Sequence, residues 1–226
     1  MTTHRTIEPA IHYWGTPVVL ISTRNEDGSA NLAPMSSAWW LGWSCMLGLD
    51  ASSRTTENLR RTGACVLNLA SANLVSAVDR LALLTGTPQL PLHKRFLGYR
   101  HEADKFTAAG LTPQASDVVA PPRVQECQVQ MEAQVVDIRP FAARDARMPV
   151  GACMVELQLL KVHVAPDLLQ EPDGHRIDPD RWKPLIMSFR QFHSVGERLQ
   201  PSRLATVPEE AYAPWRRSSP AAPTQG

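Results

Sequence analysis

Residues 17–24 (PVVLISTR) are rich in β-branched side chains, and Asn25-Glu26-Asp27-Gly28-Ser29 follows before a second strand-like run begins at Ala30. A strand, a polar turn with glycine and another strand make a hairpin. The pattern continues along the chain. Residues 44–50 (SCMLGLD) and 64–69 (ACVLNL) read as strands, and 124–138 and 151–164 read as two long ones, their connection bracketed by Pro140 and Pro149. Leu185–Phe189 reads as a last short strand, and Asp178-Pro179-Asp180-Arg181-Trp182 as a capped turn. Helices are fewer. Residues 55–62 are opened by Ser52 or Ser53 and closed by Gly63, and 71–84 place Leu74, Val78, Leu81 and Ala82 on one face. Between 86 and 122 five prolines leave room only for a short helical piece at about 102–108. Strands that outnumber helices and come as hairpins predict a mainly β protein: an antiparallel barrel with helical additions, not a doubly wound sheet.

The 226 residues carry 43% hydrophobic and 20% charged side chains and a formal net charge of +1, which gives no argument for a nucleic-acid or membrane partner. No signal-peptide core and no run of membrane-spanning length occurs, so the expected location is the cytoplasm. Cys45, Cys65, Cys127 and Cys153 stand far apart in apolar segments and read as buried thiols. The chain divides into an N-terminal arm (1–14), one domain (15–205) and a Pro/Ser-rich tail (206–226) expected to be disordered or to lie on a partner.

The chemistry concentrates at the turn after Asp50. Asp50, Ala51, Ser52, Ser53, Arg54 and Thr55 lead into a helix start, where hydroxyls, free N–H groups and a guanidinium suit a phosphate. An ordinary N-cap would use the same serines, and Glu57 would meet the helix dipole without any ligand. Upstream, Pro34-Met35-Ser36-Ser37-Ala38 has small side chains where a flat ring can approach the backbone, or where a strand merely bends. Trp39, Trp40 and Trp43 could stack on a ring or line a barrel wall. The histidines share no ligand spacing with carboxylates, so no metal site is expected, and no G-x-S-x-G elbow, P-loop or G-x-G-x-x-G is present.

These elements carry a resemblance. Asn31-Leu32-Ala33-Pro34-Met35-Ser36, then Thr55-Thr56-Glu57-Asn58-Leu59, then Thr62-Gly63-Ala64-Cys65-Val66-Leu67-Asn68-Leu69 resemble the ordered motifs of the flavin reductase-like family, whose fold is the FMN-binding split barrel. Asp104-Lys105-Phe106, Gly110-Leu111-Thr112-Pro113 and Glu126-Cys127 resemble its flavoredoxin-like members. The resemblance implies a homodimer that binds FMN, or alternatively FAD, near the subunit interface. Met35, Ser36, Ser37 and Ala38 would face the ring, and Asp50, Ala51, Ser52, Ser53, Arg54 and Thr55 would hold the phosphate, with Asn58 steadying the turn. The implied activity is NAD(P)H-dependent reduction of flavin or another small acceptor. Many such reductases carry Gly-Asp-His where this chain has Gly151-Ala152-Cys153. No catalytic residue is therefore assigned; His193 is the candidate to replace that histidine, and a non-catalytic FMN carrier or sensor is the alternative.

Overall fold

A computed structural model describes residues 2–148, 150–171 and 174–212 of the chain. Pro149 and residues 213–226, most of the expected tail, lie outside the described residues. In chain order the elements are β1 (Trp14–Pro17), β2 (Val19–Arg24), β3 (Ala30–Met35), β4 (Ala38–Leu41), β5 (Ser44–Asp50), α1 (Arg54–Thr62) and β6 (Ala64–Leu69). There follow α2 (Val75–Leu81), β7 (Leu84–Thr85), α3 (Leu92–Phe96), β8 (Arg100–His101), α4 (Lys105–Ala109), β9 (Pro113–Gln114) and β10 (Arg123–Val124). The two long strands β11 (Val129–Phe141) and β12 (Ala152–Val164) precede β13 (Leu185–Ser188) and β14 (Gln191–Ser194).

The main sheet has seven strands in the order β3-β2-β6-β11-β12-β5-β4, every neighbour antiparallel. Its two edges, β3 and β4, are consecutive in the chain and joined only by Ser36 and Ser37. Laid flat, strands spaced about 4.8 Å apart would hold those edges roughly 29 Å from one another. The link from Met35 to Ala38 reaches at most about 11 Å. The sheet must therefore curl until its edges nearly meet, which makes a barrel split along the β3–β4 seam.

Strand alternation sorts the core into two layers. Val19, Ile21, Leu47, Leu67, Val155 and Leu157 fill the barrel, joined by Leu59 from α1. Val18, Leu20, Leu32, Val78, Leu81 and Phe106 pack outside it beneath α2 and α4. Because β2 is covered on both faces, it reads as a continuous apolar run, not an alternating one. All four cysteines are free and buried. Burial pushes the Cys45 thiol up to about 12 and raises Cys65 and Cys127 as well, so none of those three is a ready thiolate.

The expected helix over 71–84 is shorter: a 3-10 turn at Ala72–Leu74 precedes α2. The proline-rich stretch holds more structure than its composition suggests, namely α3, α4 capped by Asp104, and the small pairs β7–β8 and β9–β10. A separate three-stranded sheet, β1-β13-β14, adds β14 to the expected last strand.

One buried carboxylate ties the irregular segment to the barrel. Glu132 of β11 is fully buried; it accepts the N–H groups of Asp117 (2.8 Å), Val118 (2.6 Å) and Val119 (3.0 Å) and meets His163 Nε2 at 2.7 Å. Burial pushes its pKa up, but these donors outweigh that and hold it below the usual carboxylate range. Asp117, Glu132 and His163 bring one ligand atom each within 4.8 Å of the others. Those atoms are already occupied: Glu132 by the loop N–H groups and Asp117 by Lys161. The group is an anchor. Glu132→Ala strands three N–H groups and is expected to cost about 3–5 kcal/mol of stability in a urea melt. A loss below about 1 kcal/mol would show that the loop needs no anchor.

Candidate functional site

β5 ends at Asp50, and Asp50 organises the turn. Its Oδ1 accepts from the Ser52 N–H (2.8 Å) and hydroxyl (2.7 Å), while Oδ2 meets His93 Nε2 and Lys94 Nζ, both at 3.1 Å. Partial burial would raise this carboxyl, but the Ser52, His93 and Lys94 contacts hold it at about 2. Ser53, at φ −76° and ψ 149°, is the N-cap, its hydroxyl accepting the Thr56 N–H at 3.1 Å. Gly63 at φ 66° closes the helix and returns its N–H to Leu59 O.

The turn's hydroxyls are thus largely spent inside the protein. Thr55 accepts from Asn31 Nδ2 at 3.2 Å, and Asn58 donates to Thr23 (3.0 Å) and Asn25 (2.9 Å), which fixes α1 to the β2–β3 hairpin. Arg54 donates through Nε to Gly86 O at 3.2 Å and pairs with Glu57 at 2.7 Å.

The charge that lacks an internal partner comes from elsewhere. Lys105, the first residue of α4, is 3% exposed, and its Nζ donates to Asn31 Oδ1 at 3.2 Å, a neutral oxygen. Lys94 of α3 is also buried, and it and Arg54 both stand near Lys105. Burial, then repulsion from Lys94 and Arg54, pulls Lys105 down to about 8. Arg54 pairs with Glu57 and Lys94 with Asp50, while Lys105 has only a neutral oxygen in hydrogen-bond reach and the weaker pull of Glu102, so its buried charge is costly without an anion to complete it.

Gly86 lets the backbone approach Asn31 and Arg54 closely at the same point. A Cβ there would come within 2.6 Å of Asn31 Oδ1 and 3.1 Å of Arg54 Cγ. The neighbouring Thr87 hydroxyl is buried with no hydrogen-bond partner among the described residues. Unspent donors and a buried positive charge together suit a phosphate. Gly86→Ala pushes on Asn31 and is expected to weaken flavin binding about 10-fold, read by fluorescence titration; unchanged affinity would separate Gly86 from the cradle.

Ser36 and Ser37 form the seam itself. Ser37 O accepts the Gly48 N–H at 2.8 Å, and Gly48 lies two residues, about 7 Å of strand, before Asp50. Met35 pairs with Val19 at the end of β3, and Ala38, buried, pairs with Leu47 at the start of β4. The expected ring-facing and phosphate-facing segments therefore adjoin along β5. His193 lies elsewhere, exposed on β14 opposite Ile186 in the separate sheet, with no hydrogen bond or ion pair to the turn among the described residues. Cys153 is 1% exposed, its Sγ 3.9 Å from the Thr56 hydroxyl. In the sequence Lys94 and Thr87 carry no signal, His93 reads only as a histidine without metal-ligand spacing, Gly86 as the end of a helix, and Lys105 stands out only within Asp104-Lys105-Phe106.

Residues 11–196 match the model of the flavin reductase like domain, so the chain, a split barrel, belongs to that family. Membership supports a flavin-related oxidoreductase function. An uncharacterized protein of Bacillus subtilis, YdfE, is 36% identical over 193 residues, covering 85% of this chain and 90% of its own. Flavoredoxin of Desulfovibrio vulgaris superposes with a TM-score of 0.70 at 20% identity, over 90% of this chain and 99% of that one. Nitrilotriacetate monooxygenase component B from Bacillus cereus gives 0.69 at 18% identity, over 88% and 100%. These two structures share the fold. No helix among the described residues is long and apolar enough to cross a membrane.

Proposed function

We propose that this protein is an FMN-binding oxidoreductase that uses NAD(P)H to reduce flavin or another small acceptor. The observation that carries the reading is the cation cluster of Arg54, Lys94 and Lys105 around Asn31 and Gly86. In this reading Lys105, Lys94 and Arg54 would hold the phosphate, and Asp50 keeps Lys94 and His93 in place. Ser36, Ser37 and Ala38 offer backbone N–H groups to the ring edge at the seam. Bound flavin supplies the redox chemistry; the protein supplies position and charge. A single focus of positive charge favours FMN, with one terminal phosphate, over FAD.

A second copy of the chain completes the reading. Trp39, Leu41 and Trp43 are 57%, 76% and 44% exposed on the β4–β5 hairpin at a sheet edge, a surface that favours a partner. The visible spectrum of the purified protein, with the released flavin identified after denaturation, tests the cofactor. Arg54→Ala is expected to weaken FMN about 10-fold or more in a fluorescence titration; unchanged affinity would remove Arg54 from the phosphate.

One observation favours a carrier or sensor instead. Cys153, at the position where the resemblance expects a histidine, is sealed in the barrel core and cannot hand a proton to a substrate. Anaerobic mixing with NADH and with NADPH decides: loss of the flavin's visible absorbance supports the reductase, and no loss with either supports the carrier.

A further inference from the structure

Lys105 differs from the other lysines of the chain. Lys94 pairs with Asp50 at 3.1 Å, Lys161 pairs with Asp117, and Lys183 stands exposed to water. Lys105, 3% exposed, reaches only the Asn31 side-chain oxygen, at 3.2 Å. The two carboxylates that precede it are turned to the backbone. Glu102 accepts the Asp104 N–H at 3.0 Å, and Asp104 caps α4 by accepting the Thr107 N–H at 3.1 Å. Glu102 still attracts the ammonium, but burial and the charges of Lys94 on α3 and Arg54 on α1 outweigh it.

An ammonium is no nucleophile, and burial beside other cations is the arrangement that frees a lysine amine near neutral pH. At pH 8 about half of Lys105 is amine, against below ~1% of a lysine at the ordinary value of 10.5. The surroundings also select the electrophile. An aldehyde leaves an imine and an acyl donor a neutral amide, and neither product offsets the charge of Lys94 and Arg54. Carbon dioxide leaves an anion, and it is small enough to reach a nearly closed amine. The cations that repel the ammonium attract that product. Thr87, whose buried hydroxyl has no partner among the described residues, adds an unspent donor beside Gly86, which closes on Asn31.

We propose that Lys105 takes up carbon dioxide as a carbamate, and that this carbamate and the flavin phosphate exclude one another. The amine lone pair forms the N–C bond, one C=O π pair moves to oxygen, and the amine proton passes to solvent. Nothing is oxidised or reduced. Carbamate formation rests on Lys105 and its neighbours; only the exclusion rests on the flavin reading. Dissolved carbon dioxide then opposes loading of the cradle.

The test incubates the flavin-free full-length protein with carbon-13-labelled bicarbonate at pH 8. Carbamates are trapped by alkylation with a trialkyloxonium salt and located by peptide mass spectrometry, and their carbon-13 resonance is followed in parallel. The label is expected on Lys105 and not on Lys94, Lys161 or Lys183. The resonance is expected to vanish in Lys105→Met and on saturation with FMN. An unlabelled Lys105, or a resonance kept in Lys105→Met, would overturn the modification; label that persists under saturating FMN would overturn the exclusion. FMN affinity titrated in the same samples keeps the two readings apart. Carbamate in a protein that binds no FMN upholds the modification and sinks the flavin reading, and FMN binding without carbamate does the reverse. Trapping in the parent locates the modification whether or not the variant folds.

Discussion

Replacing Lys105 with methionine is expected to weaken FMN binding on the order of 100-fold while making the flavin-free protein more stable. The two signs come from one cause. Lys105 is almost wholly buried, and its ammonium has only the neutral Asn31 oxygen as a close partner. Lys94 and Arg54 repel it. In the flavin-free state that charge is a burden, and methionine fills similar space without it. Releasing a lysine held at about 8 from an ordinary value of 10.5 corresponds to roughly 3 kcal/mol, of which the orphaned Asn31 oxygen takes back about 1. With a phosphate bound the same charge becomes one of the strongest contacts in the cradle, and its removal costs about 3 kcal/mol of binding. Paired urea melts and fluorescence titrations measure both quantities. A variant that loses stability while keeping FMN affinity would make Lys105 an ordinary structural lysine and remove the main support for the cradle.

Raising the pH from 7 to 9 should reproduce that opposition in the unaltered protein. Lys105 in the flavin-free fold titrates at about 8, below the unfolded value of 10.5. Between those values the unfolded chain holds more protons, so Lys105 contributes stability that rises with pH across that window. Flavin moves the other way. Phosphate favours the charged lysine, so affinity falls up to tenfold per pH unit above about 8 and binding takes up a proton there. The phosphate, with a second pKa of about 6, is almost fully ionised by pH ~8 and does not change charge above it. Calorimetry in buffers of different ionisation enthalpy reads the proton directly. The Lys105→Met variant should show neither trend from this group; a parent and variant with identical pH profiles would assign the dependence elsewhere.

Much of the local structure was legible because its causes are local. The Asn25–Ser29 turn, the Ser53 cap and the Gly63 stop are set by side chains that satisfy backbone groups two to four residues away, or by glycine's tolerance of positive φ. The serines of the hydroxyl turn serve Asp50 and the helix cap, and the buried cations Lys94 and Lys105, on which the proposed phosphate contact rests, lie forty and fifty-one residues beyond Arg54. The segment between them looked irregular because Pro88, Pro91 and Pro113 break periodicity there. Its helices are five residues long, held by packing and the Asp104 cap more than by any helical pattern of their own.

By itself the amino-acid sequence determined the hairpins, the capped helix after β5 and, through ordered motifs, the flavin reductase-like family. Hydrogen-bond periodicity and backbone conformational preference act over a few residues, and a family's motifs keep their order along the chain. Only the tertiary structure decided that β3 and β4 meet at a two-residue seam, that Gly86 packs closely against Asn31 and Arg54, and that Lys94 of α3 and Arg54 of α1 come near the buried Lys105 of α4. Burial and Coulomb repulsion depend on distance in space, and no spacing along the chain reports that distance until the sheet has curled.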